Sequence, residues 1–61
     1  MNNSFNVNDE VRIIYGLYNN YKGIVKKVNN IDKTILVEIL MNEKNIIKEF
    51  KFNEVLNLEY I

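Results

Sequence analysis

Short apolar runs rich in β-branched residues alternate along the chain with clusters of asparagine, glycine and charged residues. The runs cover residues 10–15, 21–28, 34–41, 46–52 and 56–61. Runs of this length and composition, bounded by turn-forming residues, are typical of β-strands. Because five of them follow one another closely, the pattern predicts a small all-β barrel.

The alternation of side chains within two of these runs predicts which residues face the core. In the third run, Ile35, Val37 and Ile39 lie on one face of an extended strand. In the fourth run, Phe50 and Phe52 share one face, and charged residues occupy the other. We therefore expect all of these apolar side chains to point inward.

The polar clusters predict the connections between the strands. Residues 16–20 predict a loop, residues 29–33 and 42–45 predict turns, and residues 53–55 predict a short helical turn capped by Asn53. Gly23 lies inside the second run, where glycine marks a bulge or a close approach of two strands. Residues 42–58 also show rough helical spacing, but asparagine interrupts it and no stop signal follows, so strands are favoured.

Composition limits both the size of the protein and its chemistry. The 61 residues form one domain at most, which we assign to residues 1–61 with residues 1–4 disordered. The chain contains no cysteine and no histidine, so it lacks disulfides, thiolate ligands and the usual general base near neutral pH. Its carboxylates are scattered singly. The sequence therefore predicts no enzyme, no metal site, no cofactor and no small-molecule substrate.

The charges give no overall attraction to a partner of one sign. Eight basic and eight acidic residues cancel, so no net field draws the chain to nucleic acid or to a membrane. The first ten residues lack the basic and apolar regions of a secretory signal, and no apolar stretch approaches the length of a transmembrane helix. We expect a cytoplasmic protein that makes no membrane contact.

Two stretches of the sequence resemble a known family. Residues 5–28, FNVNDEVRIIYGLYNNYKGIVKKV, resemble the KOW motif, in particular the carboxy-terminal KOW domain of the transcription factor NusG. That family reads phenylalanine, a Gly-Asp pair, a Val-Arg-Val-like strand, Gly-Pro-Phe, and then an aromatic-x-Gly-x-Val strand. The matching positions here are Phe5, Asp9, Val11, Arg12, Ile13, Gly16, Tyr18, Tyr21, Gly23, Val25 and Val28. Residues 48–55, KEFKFNEV, resemble the family's Val-Glu-Leu-x-Phe-x-x-Val ending.

The resemblance implies a five-stranded SH3-like barrel, with a few departures from the family's pattern. Asn8 replaces the glycine of the Gly-Asp pair, which is tolerable because asparagine also enters the left-handed region. Leu17 replaces the proline of Gly-Pro-Phe, and Asn42 with Glu43 replaces an exposed Phe-Gly in the third loop. Since the polymerase-binding domain of NusG does not precede Phe5 here, we expect a free-standing module.

Three tyrosines are candidates for contact with a protein partner, because tyrosine combines a large apolar face with a polar tip. They are Tyr15, Tyr18 and Tyr21. The resemblance implies this role for Tyr18, since the aromatic residue at that position of NusG-type domains lies on the first loop and contacts proteins. The alternative is structural, with Tyr21 covering the barrel end and Tyr15 as an ordinary strand residue. Ile46 is a fourth candidate if it is exposed, although burial of both Ile46 and Ile47 is the favoured interpretation.

A basic face on the first hairpin is the alternative site. It would consist of Arg12, Lys22, Lys26 and Lys27, and it would contact the phosphates of RNA or DNA. Adjacent lysines on a strand point to opposite faces unless a bulge intervenes, so Lys26 and Lys27 share this face only in that case.

We therefore predict a non-enzymatic protein-binding adaptor linked to transcription or translation, with a partner in the ribosomal or transcription machinery. The first alternative is a nucleic-acid-binding module that uses the basic hairpin. The second alternative is a structural accessory domain of a mobile element or a larger assembly, in which the barrel serves only as a scaffold.

Overall fold

Five antiparallel strands form one sheet in the computed structural model, which describes residues 4–60 and, for Tyr60, only the backbone. The strands are β1 (Glu10–Ile13), β2 (Lys22–Asn29), β3 (Thr34–Ile39), β4 (Ile46–Lys51) and β5 (Val55–Asn57). Single 3-10 turns follow β4 at Phe52–Glu54 and β5 at Leu58–Tyr60. The strands lie in the order β4-β3-β2-β1-β5. The predicted all-β class and SH3-like barrel are confirmed, and the helical interpretation of residues 42–58 is wrong.

The barrel interior is filled by apolar side chains that alternate along the strands. The buried set is Phe5, Val11, Ile13, Val25, Ile35, Val37, Ile39, Phe50, Phe52 and Val55. Every side chain that the alternation predicted to be inward belongs to it, in β3, in β4 and, for Phe52, at the first residue of the 3-10 turn after β4. Phe5 packs against Phe52 with ring centroids 5.0 Å apart, so the segment before β1 contributes to the same core.

Gly23 permits a close approach between β2 and β3. A Cβ atom at this position would overlap Cγ1 of Val37 and would lie 2.8 Å from the carbonyl oxygen of Glu38. The prediction of a close approach is confirmed at Gly23. The bulge of this strand pair lies further along, at Lys26, where the register shifts between Val25 and Lys27.

The segment before β1 is held to β5 through Asp9. The Asp9 carboxylate accepts hydrogen bonds from the backbone N–H of Asn6 and from Nδ2 of Asn57, each at 2.9 Å. Nδ2 of Asn57 also donates to the carbonyl of Ser4 at 3.0 Å. Asn8 adopts a positive φ of 79°, which confirms that asparagine enters the left-handed region at this position.

The ends of several predicted elements are wrong for identifiable reasons. β1 ends at Ile13 rather than at residue 15, because the next residue opposite it is Glu54, which already belongs to the 3-10 turn, and the N–H of Ile14 adds only one more bond, to the Glu54 carbonyl. β3 ends at Ile39 rather than at residue 41. The final run is not a strand over 56–61, because β5 comprises only Val55–Asn57 and a 3-10 turn follows it; residue 61 lies outside the described residues.

The helical turn near residues 53–55 begins one residue earlier than predicted and is not capped by Asn53. The turn spans Phe52–Glu54, and Lys51 precedes it without a side-chain cap. Instead, the Glu54 carboxylate accepts a hydrogen bond from the N–H of Lys51 at 3.0 Å. The expected disorder of residues 1–4 falls outside the described residues except at Ser4.

Candidate protein-binding site

The loop between β1 and β2, residues 14–21, has a defined conformation. At its base, the N–H of Asn20 donates to the carbonyl of Ile13 at 2.7 Å. The N–H of Ile13 donates to the backbone carbonyl of Tyr21 at 2.9 Å. Within the loop, the N–H of Asn19 donates to Gly16 at 3.1 Å. Gly16 and Asn20 both have positive φ, at 81° and 80°, a region that glycine and asparagine enter at low cost. The conformation of the loop is therefore defined by backbone hydrogen bonds and by residues suited to positive φ.

This loop displays apolar side chains that the described chain does not cover. Leu17 is 87% exposed and Tyr15 is 63% exposed. Tyr18 is half-buried and packs against the core, and its ring centroid lies 6.1 Å from that of Tyr21. A neighbouring apolar side chain, Ile14, is also exposed. An exposed apolar cluster on a fixed loop is typical of a surface that contacts another molecule.

A groove separates the loop from β4. Its loop side is formed by residues 15–18 and its strand side by residues 48–50, and Glu54 also lines it. Phe50 and Tyr18 pack against the core at this groove. The groove is therefore aromatic at its base, and both of its walls are held by the barrel.

The strand that borders this groove has an open edge. Among residues 4–60, β4 is the last strand of the sheet and pairs only with β3. The N–H of Phe52 donates to the carbonyl of Lys33 at 2.9 Å, so Phe52 and Lys33 form a hydrogen-bonded pair. Along an antiparallel ladder, hydrogen-bonded pairs alternate with pairs that are not hydrogen-bonded. The register then directs the backbone groups of Ile46, Lys48 and Phe50 toward β3.

The intervening residues of β4 direct their backbone groups away from the sheet. These are Ile47, Glu49 and Lys51. The N–H of Lys51 is already bonded to the Glu54 carboxylate. Ile47 and Glu49 thus present N–H and C=O groups at the open edge, where another extended segment can pair with them.

The structure brings some of the predicted contact residues to this groove and leaves others elsewhere. Tyr15 and Tyr18 line it. Tyr21 lies instead against the loop between β3 and β4, beside Leu40 and Met41. Leu17 was missed, although an apolar residue inside a Gly- and Asn-bounded loop was a signal that could have identified it.

The expectation for the first two residues of β4 is wrong. Ile46 lies opposite Ile39 and is half-buried against the core, whereas Ile47 lies opposite Glu38 and is 61% exposed. Adjacent residues of a strand point to opposite faces, so the two isoleucines cannot both be buried against one core. The exposed apolar residue of this pair is Ile47, not Ile46.

The two adjacent lysines of β2 are both exposed because of the bulge. The register shift lies between Val25 and Lys27, so Lys26 is the extra residue, and both Lys26 and Lys27 are exposed. A bulge re-aims side chains in this way. The condition under which the two lysines can share a basic face is therefore met.

Most of the basic hairpin is nonetheless engaged within the protein. The contacts join Lys22 to Glu10 at 3.7 Å, Lys26 to Glu38 at 3.7 Å, and Nη1 of Arg12 to the carbonyl of Asn20 at 3.4 Å. In residues 4–60, Lys27 has no such contact. Carboxylates are therefore interspersed among the lysines, which weakens the local positive potential.

Acidic clusters and long apolar helices are both missing from the described part of the chain. Between residues 4 and 60, no three carboxylates lie together where they could hold a metal ion. Over the same residues, no helix has the length and apolar character needed to cross a membrane.

A solved structure shares this architecture. It is described as "Domain interaction in Thermotoga maritima NusG", and it matches with a TM-score of 0.82 over 88% of this chain at 22% sequence identity. The fold is that of a NusG domain. The KOW-type resemblance is thereby confirmed at the level of the fold, and the present chain spans only 30% of that NusG chain. No family model and no curated protein matches the sequence.

Proposed function

We propose that this chain is a non-enzymatic protein-binding module that receives its partner in the groove between the first loop and β4. One observation carries the proposal: a loop of defined conformation holds Leu17, 87% exposed, and Tyr15, 63% exposed, beside a strand with an open edge. Apolar side chains on such a loop are the usual starting point of a protein interface, since burial of apolar area drives association.

The two walls of the groove supply different parts of the recognition. The open N–H and C=O groups of Ile47 and Glu49 bind the backbone of an extended segment, which provides affinity without regard to sequence. The loop residues Tyr15, Leu17 and Tyr18 bind its side chains, and tyrosine is among the residues that carry most of the energy at such contacts. An extended segment of another protein fits both walls at once.

The cellular setting of the module is inferred by analogy. The fold is shared with a domain of NusG, a transcription factor, which supports an adaptor role in transcription or translation in the cytoplasm. Fold similarity does not fix function, so this part of the proposal depends on the partner that is captured.

The experiment is an affinity capture from native lysate, with and without nuclease, on three immobilised proteins. They are the wild type, a Leu17→Asp variant, and an Ile31→Asp variant as the matched control. Ile31 is 92% exposed in the turn between β2 and β3, so its change also replaces an exposed apolar side chain by a carboxylate, but away from the groove. We expect the wild type to capture a protein that is still retained after nuclease treatment. This protein should also be captured by Ile31→Asp and should be lost with Leu17→Asp. Retention of nucleic acid instead of protein would contradict the proposal.

A second candidate function is nucleic-acid binding, and one observation favours it: the bulge exposes Lys26 and Lys27 together. The cross-strand carboxylates Glu10 and Glu38 weigh against it, because each lies 3.7 Å from a lysine of the same hairpin. Nuclease treatment in the capture experiment separates the two functions directly.

A further inference from the structure

The position of Lys48 in β4 is unusual for a lysine. It lies opposite Val37, which is fully buried, and between Ile46 and Phe50, which both pack against the core. Its side chain therefore starts on the inner face of the barrel wall and reaches the groove, where it lies among residues 15–18 of the first loop. Lys48 makes no ion pair or hydrogen bond with residues 4–60. A charged residue on the inner face of an edge strand is a known means of controlling which strands pair with that edge.

Neither carboxylate that lines the groove forms an ion pair with Lys48. Glu49 is the next residue along β4 and lies opposite Leu36, so its side chain starts on the other face of the strand, although the residue also lines the groove. Glu54 lines the groove as well, and its carboxylate keeps its negative charge while it accepts the neutral N–H of Lys51 at 3.0 Å. A segment that pairs with β4 places one of its own side chains directly opposite Lys48, within about 5 Å between Cβ atoms. An aspartate or glutamate side chain at that position forms an ion pair with Lys48.

The same geometry disfavours a second copy of this chain. Only residues whose backbone groups point outward can bond across a new β4–β4 ladder, and these are Ile47, Glu49 and Lys51. Two antiparallel registers then overlap most of β4, one centred on Lys48 and one centred on Glu49. The first sets Lys48 opposite Lys48, and the second sets Glu49 opposite Glu49, and like charges directly opposite destabilise a ladder.

A register that sets Lys48 opposite Glu49 of the second copy is not accessible. It would match a residue whose backbone groups point toward β3 with one whose groups point outward, so the hydrogen bonds could not form. Antiparallel self-pairing along β4 therefore forfeits either charge complementarity or most of the overlap between the strands.

We propose that Lys48 is a specificity-determining residue of the β4 edge, which accepts a heterologous extended segment with an acidic side chain opposite Lys48 and rejects a second copy. This inference rests on the proposed function, because it assigns the partner chemistry of the same groove. The segment carries an aspartate or glutamate on its groove side, with apolar residues two positions away to contact the first loop.

The first test selects binders from a displayed library of random ten-residue peptides against three proteins. They are the wild type, Lys48→Glu, and Lys44→Glu, a matched control in the adjoining loop. We expect wild-type binders to share an acidic residue flanked by apolar residues at alternate positions. Lys48→Glu binders should carry lysine or arginine at that place, and wild-type binders should lose roughly tenfold in affinity for Lys48→Glu. Lys44→Glu should select the same peptides as the wild type.

Selection of the same peptides by wild type and Lys48→Glu would overturn the inference. If those peptides still lose affinity for Leu17→Asp, the groove remains a protein-binding site and only the role of Lys48 fails. If no peptide is selected, or if binding is insensitive to Leu17→Asp, the proposed function fails together with it.

The second test measures self-association by sedimentation velocity over a wide range of protein concentration. We expect a monomeric wild type and self-association at least about tenfold tighter in the double variant Lys48→Ile with Glu49→Thr, which removes both like-charge oppositions. The matched control is Lys44→Ile with Glu43→Thr, which removes the same charges from the adjoining loop. A wild type that dimerises through β4, or a double variant that associates no more than its control, would overturn the inference.

Discussion

The first loop with β4 and the basic face of the first hairpin, formed by β1 and β2, are the two exposed regions that carry candidate binding residues. On the hairpin, Lys22 and Lys26 each lie 3.7 Å from a carboxylate on a neighbouring strand. At the groove, the apolar loop, the edge of β4 and Lys48 have no complement within residues 4–60. Two of the three lysines on the hairpin have carboxylate partners within the protein, whereas the groove region leaves apolar, backbone and charged groups to be satisfied by another molecule.

This difference has an energetic meaning. Exposed ion pairs contribute about 0–1 kcal/mol each. The ion pairs of the hairpin therefore add little to stability, and exchanging them for contacts with a partner would add little to the free energy of binding. Burial of apolar area contributes roughly 25 cal/mol per Å². Leu17 and Tyr15 are exposed in the free protein, so their burial against a partner would contribute this free energy to binding. The larger free energy that remains available for binding therefore lies at the groove.

The largest expected effect comes from the core that supports both regions. Phe50→Ala and Phe52→Ala each remove a buried ring and should cost about 3–5 kcal/mol, comparable to the whole stability of so small a domain. Circular dichroism should show a largely unfolded chain for either variant. Ile31→Ala, at a residue that is 92% exposed, is the control and should melt like the wild type. A folded Phe50→Ala with intact groove binding would show that the two regions do not depend on this core.

The next effect tests the contact between β2 and β3. Gly23→Val places a Cβ against Val37 and against the backbone oxygen of Glu38, and backbone cannot move aside as a flexible side chain does. We expect a loss of roughly 1–3 kcal/mol in the free energy of unfolding, measured by urea denaturation. Gly16 offers a contrast, since a Cβ there meets nothing within 4 Å and only its positive φ opposes substitution. An unchanged urea midpoint for Gly23→Val would contradict the close approach.

The third effect separates binding from stability at the groove. Tyr18→Ala should weaken binding of a captured protein partner by on the order of 2 kcal/mol, as central aromatic contacts do, and moderate salt should alter the affinity little. Because Tyr18 is half-buried against the core, Leu17→Ala serves as the cleaner companion, with unfolding expected to change by less than about 0.5 kcal/mol. Loss of stability without loss of binding in both variants would place the partner elsewhere.

The smallest effect concerns the hairpin. Replacement of Lys26 and Lys27 by glutamine removes two exposed charges, one of which is paired with Glu38, and stability should change by less than about 1 kcal/mol. Titration with RNA at two salt concentrations should show weak binding in the wild type. A measurable RNA affinity that the double change abolishes would reverse the comparison between the two regions. In that case the logarithm of the wild-type affinity should fall with the logarithm of the salt concentration, with a slope of about one for each phosphate contact.

Sequence reasoning predicted the parts of this molecule that depend on local patterns. Alternation located Phe50 and Phe52 correctly, because period-two burial is a property of a strand itself. Gly23 was identified because glycine weakens the interior of a strand and occurs there mainly at bulges and close backbone approaches. The left-handed backbone conformation of Asn8 was expected from the conformational freedom of asparagine, and its positive φ confirms it.

The parts that failed depend on how distant segments meet. β1 ends early because the residue opposite Ile14 is Glu54, which lies far away in the sequence and belongs to a 3-10 turn rather than to a strand. The faces of Ile46 and Ile47 are an exception, because period two counted back from Phe50 already places Ile46 inward and Ile47 outward, as their register with β3 confirms. Lys48 was missed because its significance arises only from its register opposite Val37 and from the loop across the groove, although its place between Ile46 and Phe50 was a signal.

The exchange rates of two backbone amides test the central claim most directly. The N–H groups of Ile47 and Glu49 point out of the open edge of β4, so they should exchange with solvent rapidly in the free protein, while those of Lys48 and Phe50 should be protected by β3. Hydrogen exchange followed by NMR should then show protection of Ile47 and Glu49 when the captured partner, or the tightest selected peptide, is bound. Amides of Ile47 and Glu49 that exchange equally fast in the free and bound states, with new protection around Lys26 and Lys27 instead, would contradict the account.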